Sequence, residues 1–196
     1  MRLKGIRVGF ALTGSHCTIE ETLPQIERII QQGAEVLPII SQSVETTDTR
    51  FGKSETWLKR LKEITGKEPI ATITDAEPVG PQKLIDIMVI APCTGNTVAK
   101  LANGITDGAV LMATKAHLRN QRPVVIGIST NDGLGINAKN LGLLINSKNI
   151  FMIPFGQDSP VGKPNSLKAN MNLTLETIEA ALQGKQLQPL IISYTK

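Results

Sequence analysis

The sequence has few of the residues that build metal centres, disulfides and nucleic-acid surfaces. Its 196 residues include 2 cysteines and 2 histidines, and aromatic residues make up only 3%. Cys17 and Cys93 lack the spacing of metal ligands, which predicts reduced thiols, no metal site and a cytoplasmic location. Because aromatic side chains are scarce and the basic residues are scattered, the sequence also argues against nucleic-acid binding.

Long apolar runs are missing as well. No segment approaches the roughly 20 apolar residues of a membrane span, and the chain begins with a strand pattern rather than a signal peptide. The remaining composition is ordinary for a globular protein, with 41% hydrophobic and 19% charged residues and a formal net charge of +4. We expect one domain over residues 1–196 without membrane contact, and the mild positive charge favours a small anionic ligand.

Apolar runs typical of strands alternate with helical patterns along the chain. The predicted strands are residues 6–12, 36–40, 70–74, 87–90, 124–128 and 150–153. Helices are predicted at 19–32, 54–64, 98–102, 105–120, 137–147 and 166–183, with an irregular segment at 44–53 and a tail at 187–196. Thr18 and Glu21 are spaced as a capping box for the first helix. This alternation predicts a three-layer α/β fold with a doubly wound parallel sheet of about six strands, of the flavodoxin or Rossmann type.

Four predicted strands are followed by turns rich in small polar residues. These turns are Thr13-Gly14-Ser15, Ser41-Gln42-Ser43, residues 92–97 and residues 129–132. The carboxyl ends of parallel strands lie along one edge of an open sheet, and the helices that follow present unpaired N–H groups there. The sequence therefore predicts one shared pocket, lined by Gly14, Ser15, Ser41, Ser43, Thr94, Asn96 and Asn131.

The first turn lacks the features of the two common nucleotide-binding motifs. It has neither the Lys of a P-loop nor the Gly-x-Gly-x-x-Gly spacing and acidic ribose ligand of a dinucleotide-binding fold. What remains is a Gly-Ser turn at the start of a helix. Such a turn suits one phosphate or carboxylate, held by backbone N–H groups and the Ser15 hydroxyl.

Several ionisable side chains have two interpretations. His16 is the candidate catalytic residue, because it lies beside the Gly-Ser turn and has a side chain that can pair with an anion or move a proton; alternatively, it faces solvent. We interpret His117 as part of a solvated helix end and Cys93 as a buried thiol rather than an activated one. Arg119 and Arg122 have side chains suited to a dicarboxylate, or they belong to a helix C-terminus.

The turns resemble those of the flavoprotein family, which includes flavin-dependent cysteine decarboxylases and flavin prenyltransferases. Residues 91–97 are similar to the family's Pro-Ala-Ser-Ala-Asn-Thr motif and match it at Pro92, Asn96 and Thr97. The resemblance covers roughly residues 5–155. It implies that the Gly-Ser turn and the Ser residues after the second strand hold the phosphate and ribityl chain of FMN. The expected cofactor-binding residues are Gly14, Ser15, Ser41, Ser43, Pro92, Thr94, Asn96, Thr97, Thr130 and Asn131.

Longer strings, at residues 74–78, 93–107, 115–120 and 129–135, resemble a narrower group of this family. Its members are the second subunits of enzymes that make dipicolinate from dihydrodipicolinate during endospore formation. This resemblance implies a small dicarboxylate substrate and a separate A-type partner chain that brings NAD(P). Relatives in the wider family also lead us to expect a homo-oligomer.

The sequence departs from the family pattern at two places. The cysteine decarboxylases have a His shortly after the third strand, where this chain has Glu77-Pro78, and their Pro-x-Met-Asn segment appears here as Ser129-Thr130-Asn131. We therefore expect that cysteine decarboxylation is lost. The alternatives that stay open are a catalytic subunit, an FMN-binding enzyme of the decarboxylase or prenyltransferase type, and a non-catalytic scaffold for the A-type partner.

Overall fold

The computed structural model, which describes residues 1–193, has a sheet of seven strands. They are β1 (Arg7–Leu12), β2 (Glu35–Ile40), β3 (Ile87–Cys93), β4 (Val124–Thr130), β5 (Ile150–Met152), β6 (Phe155–Gly156) and β7 (Leu167–Ala169). Strands β2, β1, β3, β4 and β5 lie side by side in that order and are parallel. Strands β7 and β6 add a short antiparallel extension at the end of β4. The predicted doubly wound α/β class is confirmed, and this extension makes the sheet mixed.

Helices flank the sheet and pack against one another in pairs. They are α1 (His16–Gln31), α2 (Gln42–Thr46), α3 (Ser54–Thr65), α4 (Ile73–Ala76), α5 (Gly95–Ala102), α6 (Ala109–Leu118), α7 (Ala138–Ile145) and α8 (Thr174–Leu182). Helix α1 contacts α3 and α8, α4 contacts α6, and α5 contacts α7. Within residues 1–193, none of the helices combines the length and apolar character needed to cross a bilayer.

The core sits in the central strands, which are apolar along their whole length. Every residue of β3 is buried, and in β1 only Arg7 is not. A parallel strand covered on both faces buries side chains on each side, which explains the continuous apolar runs in the sequence. Each large aliphatic side chain buried in this way contributes roughly 1.5–3 kcal/mol.

The ends of β1 and β3 are joined by hydrogen bonds. The Thr13 N–H and hydroxyl donate to the Pro92 carbonyl at 3.2 and 2.7 Å, and the Thr94 N–H donates to the Thr13 hydroxyl at 2.9 Å. The Ala91–Pro92 peptide bond is cis, and the β3–β4 register shifts between Ile90 and Cys93. These contacts bring the first and third polar turns together.

Two segments between β2 and β3 differ from the prediction. Residues 70–74 are not a strand: only Ile70 bridges β2, through Ile39, and helix α4 then begins at Ile73. Thr72 caps that helix, because its hydroxyl accepts the Asp75 N–H at 3.1 Å. Within the segment 44–53, which we predicted to be irregular, the first residues belong to helix α2.

The first and last helices also have different bounds. Helix α1 begins at His16 and runs through Pro24, so Thr18 is not its cap, and the Thr18 hydroxyl instead contacts the Ser129 hydroxyl at 2.8 Å. The predicted helix 166–183 is divided into β7, a 3-10 turn at Met171–Leu173 and α8. Part of the predicted tail lies outside the described residues; Leu190 and Ile192 within it exchange backbone hydrogen bonds with Phe155.

Candidate functional site

The carboxyl ends of β1, β2 and β3 surround a cavity of about 370 Å³. This volume lies within the range of about 300–1,000 Å³ that is usual for small-molecule sites. Three of the predicted polar turns and the segment leading into α6 supply the walls. The lining residues are Thr13, Gly14, Ser41, Gln42, Ser43, Thr94, Asn96, Thr97, Lys100, Asp107, Gly108, Ala109, Val110 and Leu111.

Three helices begin at this cavity. Ser41, Thr94 and Gly108 are the N-caps of α2, α5 and α6, and all three line the cavity. The first turns of α5 and α6 contain no acidic residue, and Asp107, which directly precedes the N-cap of α6, is paired with Lys100, so the partial positive charge of these helix ends is available to a ligand. The cavity is therefore electrostatically suited to a phosphate or carboxylate.

Hydroxyl groups add hydrogen-bonding capacity to the cavity. The Ser41 Oγ is buried and has no hydrogen-bond partner among the described residues. By contrast, the Thr94 Oγ1 already accepts the Thr97 N–H at 3.1 Å and lies 3.0 Å from the Thr97 Oγ1. A buried hydroxyl without a partner is rare in native proteins. Ser41 thus provides a free polar group at the position where a ligand would contact it.

Gly14 and Ser43 line one side of the cavity, and His16, which is not part of the lining, contacts Ser43. A Cβ atom on Gly14 would lie 2.5 Å from the Ser43 Oγ, so the backbone here is packed tightly against that hydroxyl. The His16 Nε2 lies 3.2 Å from the Ser43 Oγ. His16 is only 9% exposed and its Nδ1 has no partner among the described residues, so it does not face solvent. Burial lowers the pKa of His16, which favours a neutral imidazole.

Some predicted site residues lie beside the cavity rather than on its wall. The Ser15 hydroxyl is directed to β4, where it donates to the Ser129 carbonyl at 3.0 Å and lies 2.8 Å from the Ser129 Oγ. The Thr130 hydroxyl donates to Asp132, and Asn131 is exposed. The carbonyl of the buried Pro92 accepts the hydrogen bonds from Thr13 described above. The structure therefore brings together Gly14, Ser41, Ser43, Thr94, Asn96 and Thr97, but not Ser15, Pro92, Thr130 or Asn131.

Sequence reasoning missed Lys100 on α5 and residues 107–111 at the start of α6. Lys100 Nζ donates to Asp107 Oδ2 at 2.6 Å, and both residues line the cavity. Lys100 follows Asn96 by four residues and Thr97 by three, which are the spacings of neighbours on one helix face. That spacing was available in the sequence, and it would have added Lys100 to the predicted residues.

The remaining candidate side chains lie outside the cavity lining. His117 is buried, donates from Nε2 to the Pro123 carbonyl at 3.0 Å, and has its pKa lowered to about 4 by burial, so the predicted solvated helix end is wrong. Burial raises the pKa of the Cys93 thiol, which agrees with a buried, inactive thiol. Arg122 donates to the Ile85 carbonyl and to Asp86, next to the start of β3, and Arg119 is exposed.

The segment where the decarboxylases have a His lies outside the cavity lining. Glu77 begins a 3-10 turn, Glu77–Val79, that packs against α6. The ionisable side chains among the lining residues of the described chain are Lys100 and Asp107.

The fold and the cavity at its carboxyl edge define the class of this protein. The Flavoprotein family model matches residues 1–179, and the chain belongs to that family. Over 190 residues the chain is 56% identical to the B chain of dipicolinate synthase from Bacillus subtilis (strain 168), and this match covers 97% of this chain and 95% of that protein.

Solved structures agree with this assignment. The crystal structure of the corresponding B chain of dipicolinate synthase from Bacillus halodurans C matches with a TM-score of 0.92 and 53% identity, and the match covers 100% of both chains. The FMN-dependent cysteine decarboxylase SpaF matches with a TM-score of 0.66 over 92% of this chain and 97% of its own. At 18% identity this second match shows the shared fold alone.

Proposed function

We propose that this chain is the B-type component of an enzyme that oxidises dihydrodipicolinate to dipicolinate together with an A-type partner. The observation that carries the proposal is the 56% identity to the Bacillus subtilis protein, which extends over 97% of the chain. The name of that relative implies a second kind of chain, and an enzyme that dehydrogenates its substrate needs a hydride acceptor. The Gly-Ser turn here lacks a dinucleotide fingerprint, so NAD(P) would come with the A-type partner.

FMN is the leading candidate for the ligand of the carboxyl-edge cavity. The helix N-termini of α5 and α6, the free Ser41 hydroxyl and the cavity volume fit a phosphate-bearing molecule. A bound flavin would supply two-electron redox chemistry. The phosphate would be held by backbone N–H groups at the helix starts, and the ribityl hydroxyls by Ser41, Ser43 and Thr94.

The residues of this chain would position the ligand rather than react with it covalently. Thr13 and Thr94 are themselves fixed by hydrogen bonds, so the wall that they form is preorganised. His16, held in its neutral form by burial, could take a proton through the Ser43 hydroxyl, which lies 3.2 Å from its Nε2. His16 therefore remains our candidate for proton transfer.

Reconstitution tests the proposed function directly. Dipicolinate formation is measured with the A-type partner alone, this chain alone and both together, with NAD(P) and with or without FMN. We expect substantial product only from the mixture. Equal activity of the A-type partner alone would contradict a catalytic contribution from this chain and would favour the scaffold alternative. A yellow chain after purification, with a flavin absorption spectrum, would support the FMN assignment.

A further inference from the structure

One ion pair lies in the wall of the cavity. Lys100, on α5, and Asp107, just before α6, approach to 2.6 Å, and both side chains belong to the lining. Their exposures differ: the Lys100 side chain is 29% exposed and the Asp107 side chain is 51% exposed. Both side chains therefore line the cavity, and Asp107 is the more exposed member of the pair.

The position of Lys100 on its helix places it beside the other groups suited to an anion. Lys100 lies one helical turn after Asn96 and Thr97, and all three line the cavity. Thr94 and Gly108, the N-caps of α5 and α6, line the same space. A ligand anion in this cavity would meet one formal positive charge and two helix N-termini with partial positive charge.

Asp107 is placed to compete with such an anion. A partly exposed ion pair contributes little to stability, because water solvates both groups well when they separate. A carboxylate or phosphate bound at the helix ends would also repel Asp107. Replacing Asp107 by a ligand anion as the partner of Lys100 therefore changes the stability of the fold little.

We propose that Lys100 is the specificity-determining cation of this cavity: it binds a carboxylate or phosphate group of the ligand, and Asp107 holds the ammonium until the ligand replaces it. This inference rests on the proposed function, since it requires an anionic ligand in the carboxyl-edge cavity. Its distinctive consequence is that the two members of the ion pair have opposite effects on ligand binding.

The test measures the affinity of three probes by isothermal titration calorimetry: FMN, inorganic phosphate and pyridine-2,6-dicarboxylate. For any probe that wild-type protein binds, we expect Lys100→Gln to weaken binding about tenfold or more, because a charge-assisted contact is lost. We expect Lys100→Arg to stay within about threefold of wild type. Asp107→Asn should strengthen binding by about threefold to tenfold, since it removes a competing negative charge. The probes that respond identify whether the anion is a flavin phosphate, free phosphate or a dicarboxylate.

The control is Lys59→Gln, which changes the net charge equally but lies on α3, where Lys59 is paired only with Glu63 at 3.9 Å among the described residues. It should leave every affinity unchanged. If Lys100→Gln and Asp107→Asn weaken binding equally, or if neither has an effect, the pair is structural and the inference is wrong. Wild-type protein that binds none of the probes would overturn both the proposed ligand and this inference. Thermal unfolding of each variant confirms that the fold is retained.

Discussion

Gly14 has no side chain at the point where its backbone packs against Ser43 and approaches His16. A Cβ atom there would lie 2.5 Å from the Ser43 Oγ and 3.0 Å from the Ser43 Cβ. The Ser43 Oγ can rotate away about χ1, but the Ser43 Cβ moves only with its backbone, so the added atom forces a small shift of the turn or of α2. Glycine at this position therefore sets the distance between the first and second turns, and with it the shape of the cavity.

Replacing Gly14 by Ala should destabilise the protein by about 1–3 kcal/mol, since overpacking a closely packed site forces backbone shifts. The free energy of unfolding in urea measures this change. Gly142→Ala is the matched control: Gly142 lies inside α7, and a Cβ there meets nothing within 4 Å. That variant should gain about 0.5–1 kcal/mol from helix propensity. Equal stability of the two variants would contradict the close packing at Gly14.

His117 makes the stability of the protein depend on pH. Its pKa is lowered from 6.5 to about 4 by burial, so the folded protein disfavours the charged imidazolium. Protonation therefore favours the unfolded chain, in which the pKa is the ordinary one. Full stability is present above about pH 6.5 and is lost as the pH falls through about 4. The loss from this residue reaches roughly 3 kcal/mol at low pH.

We expect the free energy of unfolding of wild type to fall more steeply between pH 6.5 and 4 than that of His117→Gln. Glutamine retains an N–H that can donate to the Pro123 carbonyl but does not titrate. Urea denaturation at several pH values gives both slopes, and the difference between them isolates His117 from the carboxylates that titrate in the same range. Parallel slopes would show that His117 is not held in its neutral form.

At the scale of whole elements, the strands of the central sheet could be predicted because burial on both faces leaves a continuous apolar pattern. The short elements could not. Residues 70–74 have a strand-like composition, but the Thr72 hydroxyl caps α4 and only Ile70 reaches β2. Of the apolar stripe Leu167, Met171, Leu175, Ile178 and Leu182, the first four are buried at helical spacing, although Leu167 lies in β7, whereas Leu182 is exposed. Periodicity predicts burial correctly for those four, whereas strand pairing with β4 decides the local backbone.

In the site, too, one part could be predicted from the sequence and another could not. The position of the cavity follows from the rule that parallel strands carry their ligands at their carboxyl ends, so Gly14, Ser43 and Thr94 could be placed together. The directions of single side chains do not follow from that rule. Ser15 turns toward Ser129 on β4 because that strand presents both a carbonyl and a hydroxyl within reach. Such long-range partners are invisible in a sequence.

The segment after α8 stabilises the outer edge of β5, and this contribution can be tested by mutation. Gln186 donates from Nε2 to the Met152 carbonyl and accepts the Met152 N–H, each at 2.7 Å, and thereby closes the outer edge of β5. Gln186→Ala leaves both groups without a protein partner and should cost about 1–3 kcal/mol. Gln183→Ala, at an exposed side chain, should change the unfolding free energy by less than about 0.5 kcal/mol. If the two variants unfold at the same urea concentration, the Gln186 contacts do not hold this edge.

For the whole molecule, the formal net charge of +4 is small, so its overall field is weak. Anion binding must then depend on the local arrangement at the carboxyl edge, where Ser41 and the starts of α5 and α6 face one cavity. Binding to the folded state alone raises stability by mass action. The proposed ligand can therefore be detected without knowing the reaction.

A ligand at about one hundred times its Kd should add about 2.7 kcal/mol to the stability of the folded state. For a chain of this size, that corresponds to a rise in the thermal unfolding midpoint of roughly 5–10 °C. We expect this rise with FMN or phosphate in differential scanning calorimetry, and none with chloride at the same ionic strength.

Ser41→Ala should leave the midpoint without ligand unchanged, because the Ser41 Oγ has no hydrogen-bond partner among the described residues. The same substitution should reduce the rise caused by the ligand, since the free hydroxyl is lost from the cavity wall. A full rise in the Ser41→Ala variant would show that the ligand binds away from Ser41. If phosphate and chloride raise the midpoint equally, the effect is general screening by salt and not binding at the cavity.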